Sequence, residues 1–80
     1  KEVVVFTEQP EEMSKEIINR LRRGVSVIEA KGMYSKQKKY MVVCVVYNRQ
    51  VTDLRKIVNK YDSNAFVIIK EVRETTGLID

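Results

Sequence analysis

Four short apolar runs divide the chain, and each has the composition of a β-strand. They are rich in β-branched and aromatic residues and are bounded by polar or turn-forming residues. In the first and third runs the residues at both alternating positions are apolar, so both faces of these two strands are apolar. The predicted strands cover residues 1–7, 25–34, 39–47 and 65–70.

Two segments between these runs have the periodicity of amphipathic helices. Pro10 begins the first helix, because proline fits the first helical turn, and Gly24 is predicted to end it in a left-handed conformation. Arg22 and Arg23 are expected to interact with the negative end of that helix dipole. Asn48 is the predicted N-cap of the second helix. The apolar positions are Met13, Ile17, Ile18 and Leu21 in the first helix and Val51, Leu54, Ile57, Val58 and Tyr61 in the second.

The order strand, helix, strand, strand, helix, strand predicts the ferredoxin-like βαββαβ fold, an α+β sandwich of two layers. Right-handed crossovers place both helices on one face of an antiparallel sheet with strand order 4-1-3-2. The two strands that are apolar on both faces are central in this order, so pattern and topology agree. We expect one domain over residues 1–80, with a core of about residues 2–72 and a tail, 73–80, that Thr75-Thr76-Gly77 interrupts.

The sheet face that the helices leave uncovered carries an apolar patch, which usually marks an interface. The first strand contributes either Val3 and Val5 or Val4 and Phe6, depending on which of its faces meets the helices. We predict self-association into a homo-oligomer through this patch. The alternative is that another segment of a longer parent chain covers it. The predicted interface residues are Val3, Val5, Met41, Val43 and Val45.

The composition argues against catalysis. The chain has 80 residues with 15 basic and 11 acidic side chains, and its net charge of +4 favours anionic partners weakly. It contains no histidine, the commonest general base and metal ligand, and no glycine-rich nucleotide loop. Cys44 is expected to be an inert core residue, and a single cysteine fits a reducing compartment. We therefore expect neither an enzyme nor a metal or cofactor site.

The predicted hairpin between the second and third strands concentrates polar groups at its tip. Gly32, Tyr34, Ser35 and Lys38 combine an aromatic face with hydroxyl and ammonium donors, which suits a small anionic ligand. The alternative is a glycine bulge flanked by solvated lysines.

RNA binding is a further alternative, because the RNA recognition motif shares this topology. That motif requires aromatic residues on both central strands, whereas the middle of the third strand, residues 41–46, contains none. The sequence therefore disfavours a nucleic-acid partner.

Four motifs together resemble the C-terminal soluble domain of the YitT-type bacterial membrane protein family, a domain of unknown function. They are Arg23-Gly24-Val25-Ser26, Gly32-Met33-Tyr34-Ser35, Val43-Cys44-Val45-Val46-Tyr47-Asn48-Arg49 and Asp62-Ser63-Asn64-Ala65-Phe66-Val67-Ile68. The family usually has glycine where Lys36 stands, and it ends in a glycine-rich segment where this chain has Thr75-Thr76-Gly77-Leu78-Ile79. From the last motif, Asp62 and Phe66 join the candidate ligand-binding residues.

The resemblance implies several transmembrane helices upstream of this domain, which would then lie on the cytoplasmic side of the bacterial cell membrane. It implies no enzymatic activity, and the fold is similar to that of the GlnB-like signalling proteins at fold level only. Because the chain starts at Lys1 without a methionine, we expect a fragment of a longer membrane protein. The sequence thus favours a non-catalytic regulatory domain that oligomerises and senses a small anion. The alternatives are a purely structural assembly domain and an RNA-binding module.

Overall fold

Each apolar run forms a strand in the computed structural model, which describes residues 1–33 and 36–77. The strands are β1 (Glu2–Thr7), β2 (Val25–Lys31), β3 (Lys38–Val45) and β4 (Phe66–Lys70). They make one sheet in the order β2-β3-β1-β4, and every neighbouring pair is antiparallel. This order confirms the predicted 4-1-3-2 topology.

Two antiparallel helices cover one side of the sheet. Helix α1 spans Pro10–Leu21, and helix α2 spans Val51–Tyr61 after a 3₁₀ turn at Asn48–Gln50. Pro10 occupies the first turn of α1, as predicted. The apolar faces of the helices bury their side chains against one row of the sheet, which makes the hydrophobic core. Its fully buried members include Met13, Ile17, Leu54, Ile57, Val3, Val5, Val42 and Cys44.

The ends of the helices differ from the predicted caps. Arg22, not Gly24, takes the left-handed conformation after α1, with φ of 57°, and its N–H donates to the Ile18 carbonyl at 3.0 Å. The chain must turn at once here, because Leu21 is buried in the core and β2 begins four residues later. Asn48 is not an N-cap. Instead the Gln50 side chain accepts a hydrogen bond from the Tyr47 N–H and donates one to the Leu21 carbonyl, both at 2.9 Å.

The strand register decides which residues face the helices. Val3 and Val5 pair with Cys44 and Val42, and all four side chains are fully buried beneath the helices. The prediction that Val3 and Val5 lie on the uncovered face is therefore wrong. That face, called the open face below, carries the alternate residues of every strand. Val4 and Phe6 are its members from β1, because successive side chains of a strand point to opposite sides.

The connection between β2 and β3 is closed by two backbone hydrogen bonds. The Gly32 N–H donates to the Gln37 carbonyl at 2.9 Å, and the Lys36 N–H donates to the Gly32 carbonyl at 2.7 Å. Lys36 has a φ of 60°, in the left-handed region that favours glycine. A glycine at this position would adopt the same conformation without the steric cost of a Cβ.

Replacing Lys36 with glycine is expected to stabilise the domain by about 0.5–1 kcal/mol. The left-handed conformation costs a residue with a Cβ about 1–2 kcal/mol, and glycine avoids this cost. Glycine also has more conformational freedom in the unfolded chain, which offsets part of the stabilisation. Thermal unfolding of Lys36→Gly beside Lys36→Ala tests this. The alanine variant also loses the charge but keeps the Cβ. Equal stabilisation by both variants would contradict the backbone explanation.

Glu16 links the two helices through one carboxylate. Its Oε1 accepts hydrogen bonds from Lys60 Nζ, at 2.8 Å, and from the Tyr61 hydroxyl, and its Oε2 accepts one from Arg20 Nη1 at 2.9 Å. These bonds, with the Lys60 bond contributing most, lower the pKa of Glu16 from 4.5 to about 2. The charged form of Glu16 is thus preferred in the folded protein.

A depressed pKa in the folded state predicts stability that is present above the unfolded pKa and is lost on acidification. The Glu16 contribution should be complete above pH 4.5 and should disappear as the pH falls toward about 2. Melting temperatures of Glu16→Gln should therefore fall less steeply than those of the parent in this window. Glu12→Gln, which changes an exposed carboxylate of the same helix, should keep the parent slope. An unchanged slope in Glu16→Gln would show that the link contributes nothing.

Candidate functional site

A row of four apolar side chains crosses the open face from one sheet edge to the other. The register places Ile28 beside Met41, Met41 beside Phe6, and Phe6 beside Phe66. The rings of Phe6 and Phe66 lie 6.0 Å apart between centroids and are tilted by 53°. At the two edges, Ile28 is 50% exposed and Phe66 is 64% exposed. This row is the most exposed apolar part of the sheet.

A second row lies beside the first and is less exposed, with Val4 only 8% exposed. It consists of Ser26, Val43, Val4 and Ile68, one residue from each strand. Charged residues lie on either side of the two rows. At one end of the open face Glu2 forms an ion pair with Lys70 at 3.8 Å, and Lys39 lies at the other end. An apolar centre with a polar rim is the usual composition of a protein interface.

The predicted interface residues on β3 lie on this face. Met41 and Val43 belong to the two apolar rows, and Val45 pairs with Glu2 at the margin. Val4 and Phe6 take the places that were predicted for Val3 and Val5. The two faces of β1 could not be told apart from their residues, because both are apolar.

The predicted ligand-binding residues at the hairpin are not all described. Tyr34 and Ser35 lie outside the described residues, and Gly32 closes the turn through its backbone. Lys38 lies on the helix side of the sheet at its edge, where its Nζ is 3.5 Å from Glu29 Oε1. The charge of Lys38 is therefore partly compensated within the hairpin.

Asp62 and Phe66 lie elsewhere. Asp62 Oδ2 accepts a hydrogen bond from the Thr7 hydroxyl at 2.6 Å, and its Oδ1 accepts one from the Asn64 N–H at 3.1 Å. Thr7 in turn accepts a hydrogen bond from the Gln9 N–H at 3.0 Å. Asp62 thus ties the end of α2 to the end of β1, whereas Phe66 belongs to the open face. The described candidates occupy three separate places.

Cys44 lies in the core, fully buried between the sheet and the helices. Burial raises the pKa of its thiol to about 11, so the thiol stays protonated at neutral pH. Across residues 1–33 and 36–77, His, Cys, Asp and Glu form no cluster that could hold a metal ion. In the same residues, no helix is long and apolar enough to cross a membrane.

Sequence reasoning missed a cluster of arginines at the end of the sheet opposite the hairpin. The guanidinium carbons of Arg23 and Arg49 lie 4.9 and 4.6 Å from the centre of the Tyr47 ring. Arg23 Nε also donates a hydrogen bond to the Val45 carbonyl at 2.8 Å. The sequence assigned Arg22 and Arg23 to a helix dipole, but α1 ends before either residue. No local pattern in the sequence indicated that Arg23 and Arg49 lie against the same ring.

Comparison with known proteins identifies relatives of the chain. A family model described as "Uncharacterized protein conserved in bacteria (DUF2179)" matches residues 23–77. The UPF0750 membrane proteins YxkD and YitT of Bacillus subtilis (strain 168) are 31% identical over 77 residues and 29% identical over 75 residues. The matches cover 96% and 94% of this chain but only 28% and 26% of the relatives. The chain therefore spans about a quarter of the length of these membrane proteins.

Two solved structures share the fold. An uncharacterized DUF2179 protein from Eubacterium ventriosum has a TM-score of 0.67 at 19% identity, covering 88% of this chain and 99% of that one. A functionally unknown protein from Pediococcus pentosaceus ATCC 25745 has a TM-score of 0.81 at 10% identity, covering 96% of this chain and 94% of that one. At these identities the likeness concerns the fold alone.

Proposed function

This chain belongs to the DUF2179 family of bacterial proteins, and we propose that it is a non-catalytic assembly domain that pairs with a second copy through the open face. The observation that carries this proposal is the row of Ile28, Met41, Phe6 and Phe66 across all four strands. An exposed apolar surface of this continuity is uncommon on a protein that stays monomeric.

The area of the open face limits the affinity that we expect for self-association. With strands about 4.8 Å apart and a rise of about 3.4 Å per residue, four strands of five residues measure roughly 19 by 17 Å. Two such faces have a combined flat area of about 650 Å², and protruding side chains bring the accessible surface that pairing buries to roughly 1,000 Å² at most, which is at the low end of specific interfaces. The isolated domain should therefore associate weakly. Copies held beside one another in a parent membrane protein would associate more fully, because tethering raises their effective concentration.

The relatives supply the setting of the proposal. They are named as membrane proteins, and the chain matches about a quarter of their length. We place the domain on the cytoplasmic side of the bacterial membrane, where the free thiol of Cys44 is compatible with a reducing environment. Pairing of the domains would then hold membrane subunits together, and control of that pairing would make the domain regulatory.

Sedimentation of the isolated domain tests the proposal. Between about 10 μM and about 1 mM, the range in which an interface of this size associates, the weight-average mass should rise from monomer toward dimer. Amide chemical shifts measured over the same range should change on the open-face residues and not on the helices. A constant monomer mass over this range would refute self-association. Shifts confined to the helices would show that a different surface pairs.

A further inference from the structure

A groove of about 410 Å³ lies at the arginine end of the sheet, lined by two arginines, a glycine and the chain that follows β4. The fold builds it from three segments. The first segment is Arg22, Arg23 and Gly24, which connects the end of α1 to β2. The second is the end of β3 at Val45, which lies beside this connection. The third is the segment after β4, which passes the same end of the sheet. The lining residues are Arg22, Arg23, Gly24, Val45, Thr75, Thr76 and Gly77.

The arginines at this end lack ion-pair partners among the described residues, although Glu71 and Glu74 line an adjoining groove. Within the described part of the chain, no carboxylate lies within ion-pair distance of Arg22, Arg23 or Arg49, whereas Lys1, also at this end, is paired with Glu71. Like charges gathered around one groove raise the local positive potential and attract anions. This end is therefore one of two basic regions of the chain, the other being the hairpin with Lys31, Lys36, Lys38 and Lys39.

The guanidinium group of Arg23 is held in position before any ligand binds. Its Nε donates to the Val45 carbonyl at 2.8 Å, and its central carbon lies over the Tyr47 ring. Its two terminal nitrogens have no hydrogen-bond partner among the described residues. An arginine fixed in this way presents a planar pair of donors without losing further side-chain entropy, which suits a phosphate oxygen pair.

The segment after β4 adds neutral donors to the same groove. Thr75 and Thr76 carry hydroxyl groups, and Gly77 has a φ of 93° with open space where a Cβ would lie. This glycine therefore has no side chain that could obstruct a ligand in the groove. The groove is thus lined by two arginines, two threonine hydroxyl groups and the backbone of Gly77, and no acidic residue belongs to this lining.

We propose that this groove binds the phosphate group of a small phosphate-bearing anion, with Arg23 as its fixed donor and Arg22 as its mobile one. The phosphate can belong to a soluble phosphoester or to the headgroup of an anionic lipid, because both present the same oxygens to the groove. The proposal does not depend on pairing through the open face, since the groove lies at the end of the sheet and meets that face at its margin, at Val45.

Titration of the domain with inorganic phosphate, at constant ionic strength set by sodium chloride, tests the proposal. Amide shifts of Arg22–Gly24 and Thr75–Gly77 should saturate. Replacing Arg23 with Gln should weaken phosphate binding at least tenfold, the effect of losing one charge-assisted bond pair. Arg22→Gln, whose side chain is exposed and does not support the fold, should also weaken it severalfold. Arg55→Gln, an exposed arginine of α2, is the matched control and should bind as the parent does.

Two vesicle compositions separate the sources of the phosphate. Binding to vesicles of phosphatidylglycerol and phosphatidylcholine, but not of phosphatidylcholine alone, with loss in Arg22→Gln, would support the lipid headgroup. Phosphate binding without vesicle binding would support the soluble phosphoester. Shifts that fail to saturate, or an equal loss in Arg55→Gln, would overturn the proposal, because binding would then follow net charge and not the groove.

Discussion

Replacing Val5 with Asp is expected to unfold the domain. Val5 is fully buried between the sheet and the helices, so the variant loses the burial of an apolar side chain, about 1.5–3 kcal/mol. It also places a carboxylate without a partner in the core, which costs several kcal/mol more. A domain of 80 residues has a stability of roughly 4–12 kcal/mol at 0.05–0.15 kcal/mol per residue. The combined cost is of the same size as the whole stability.

The matched change is Phe6→Asp, one residue along the same strand. Phe6 lies on the open face and is partly exposed, so its aspartate can reach water and the fold should survive with a smaller loss of stability. Circular dichroism with urea unfolding compares the two variants directly. If Val5→Asp stays folded and Phe6→Asp unfolds, the assignment of the faces is inverted.

This pair of variants also marks the limit of what the sequence predicts about the sheet. Period-two alternation gives two rows in β1, Val3 with Val5 and Val4 with Phe6, and both rows are apolar. Which row meets the helices depends on how β1 enters α1 and on its register with β3, and neither leaves a local pattern. The charged residues Glu29 and Lys31 did not identify the outer face of β2 either. They lie on the helix side of this edge strand, where they remain exposed.

The helices and the topology were predictable for a different reason. Met13, Ile17 and Leu21 repeat at helical spacing because one stripe must be buried, and that requirement does not depend on distant contacts. Helix caps depend on the preference of one residue for particular backbone dihedral angles. Such a preference contributes about 1 kcal/mol, and packing of the core overrides it. Arg22 therefore takes the left-handed position, although Gly24 would do so at a lower cost.

The arginine end was beyond prediction because it is assembled from distant segments. Three separate segments of the chain supply Arg23, Tyr47 and Thr75, and only the completed fold brings these segments together. The predicted ligand residues at the hairpin were read from one continuous segment, where neighbours in sequence were assumed to be neighbours in a site. In the described structure, Lys38, Asp62 and Phe66 each have a separate environment.

Two adjacent residues of β2 offer the sharpest test of assembly. Ile28 and Val27 are 50% and 45% exposed, yet Ile28 lies on the open face and Val27 on the helix side. An aspartate at either position reaches water in the monomer, and charge is well tolerated on an edge strand. Both variants should therefore fold, with stabilities within about 1 kcal/mol of the parent.

Only Ile28→Asp should abolish self-association. In a pair formed through the open face, each copy would bury an unpaired carboxylate against the row of Met41, Phe6 and Phe66. A cost of about 3 kcal/mol corresponds to a more than 100-fold increase in the dissociation constant, so Ile28→Asp should remain monomeric at every accessible concentration. Val27→Asp carries the same charge on the same strand and should pair as the parent does. Equal sedimentation of the two variants would mean that the open face is not the assembly surface. Loss of pairing in Val27→Asp alone would assign assembly to the helix-side edge of β2.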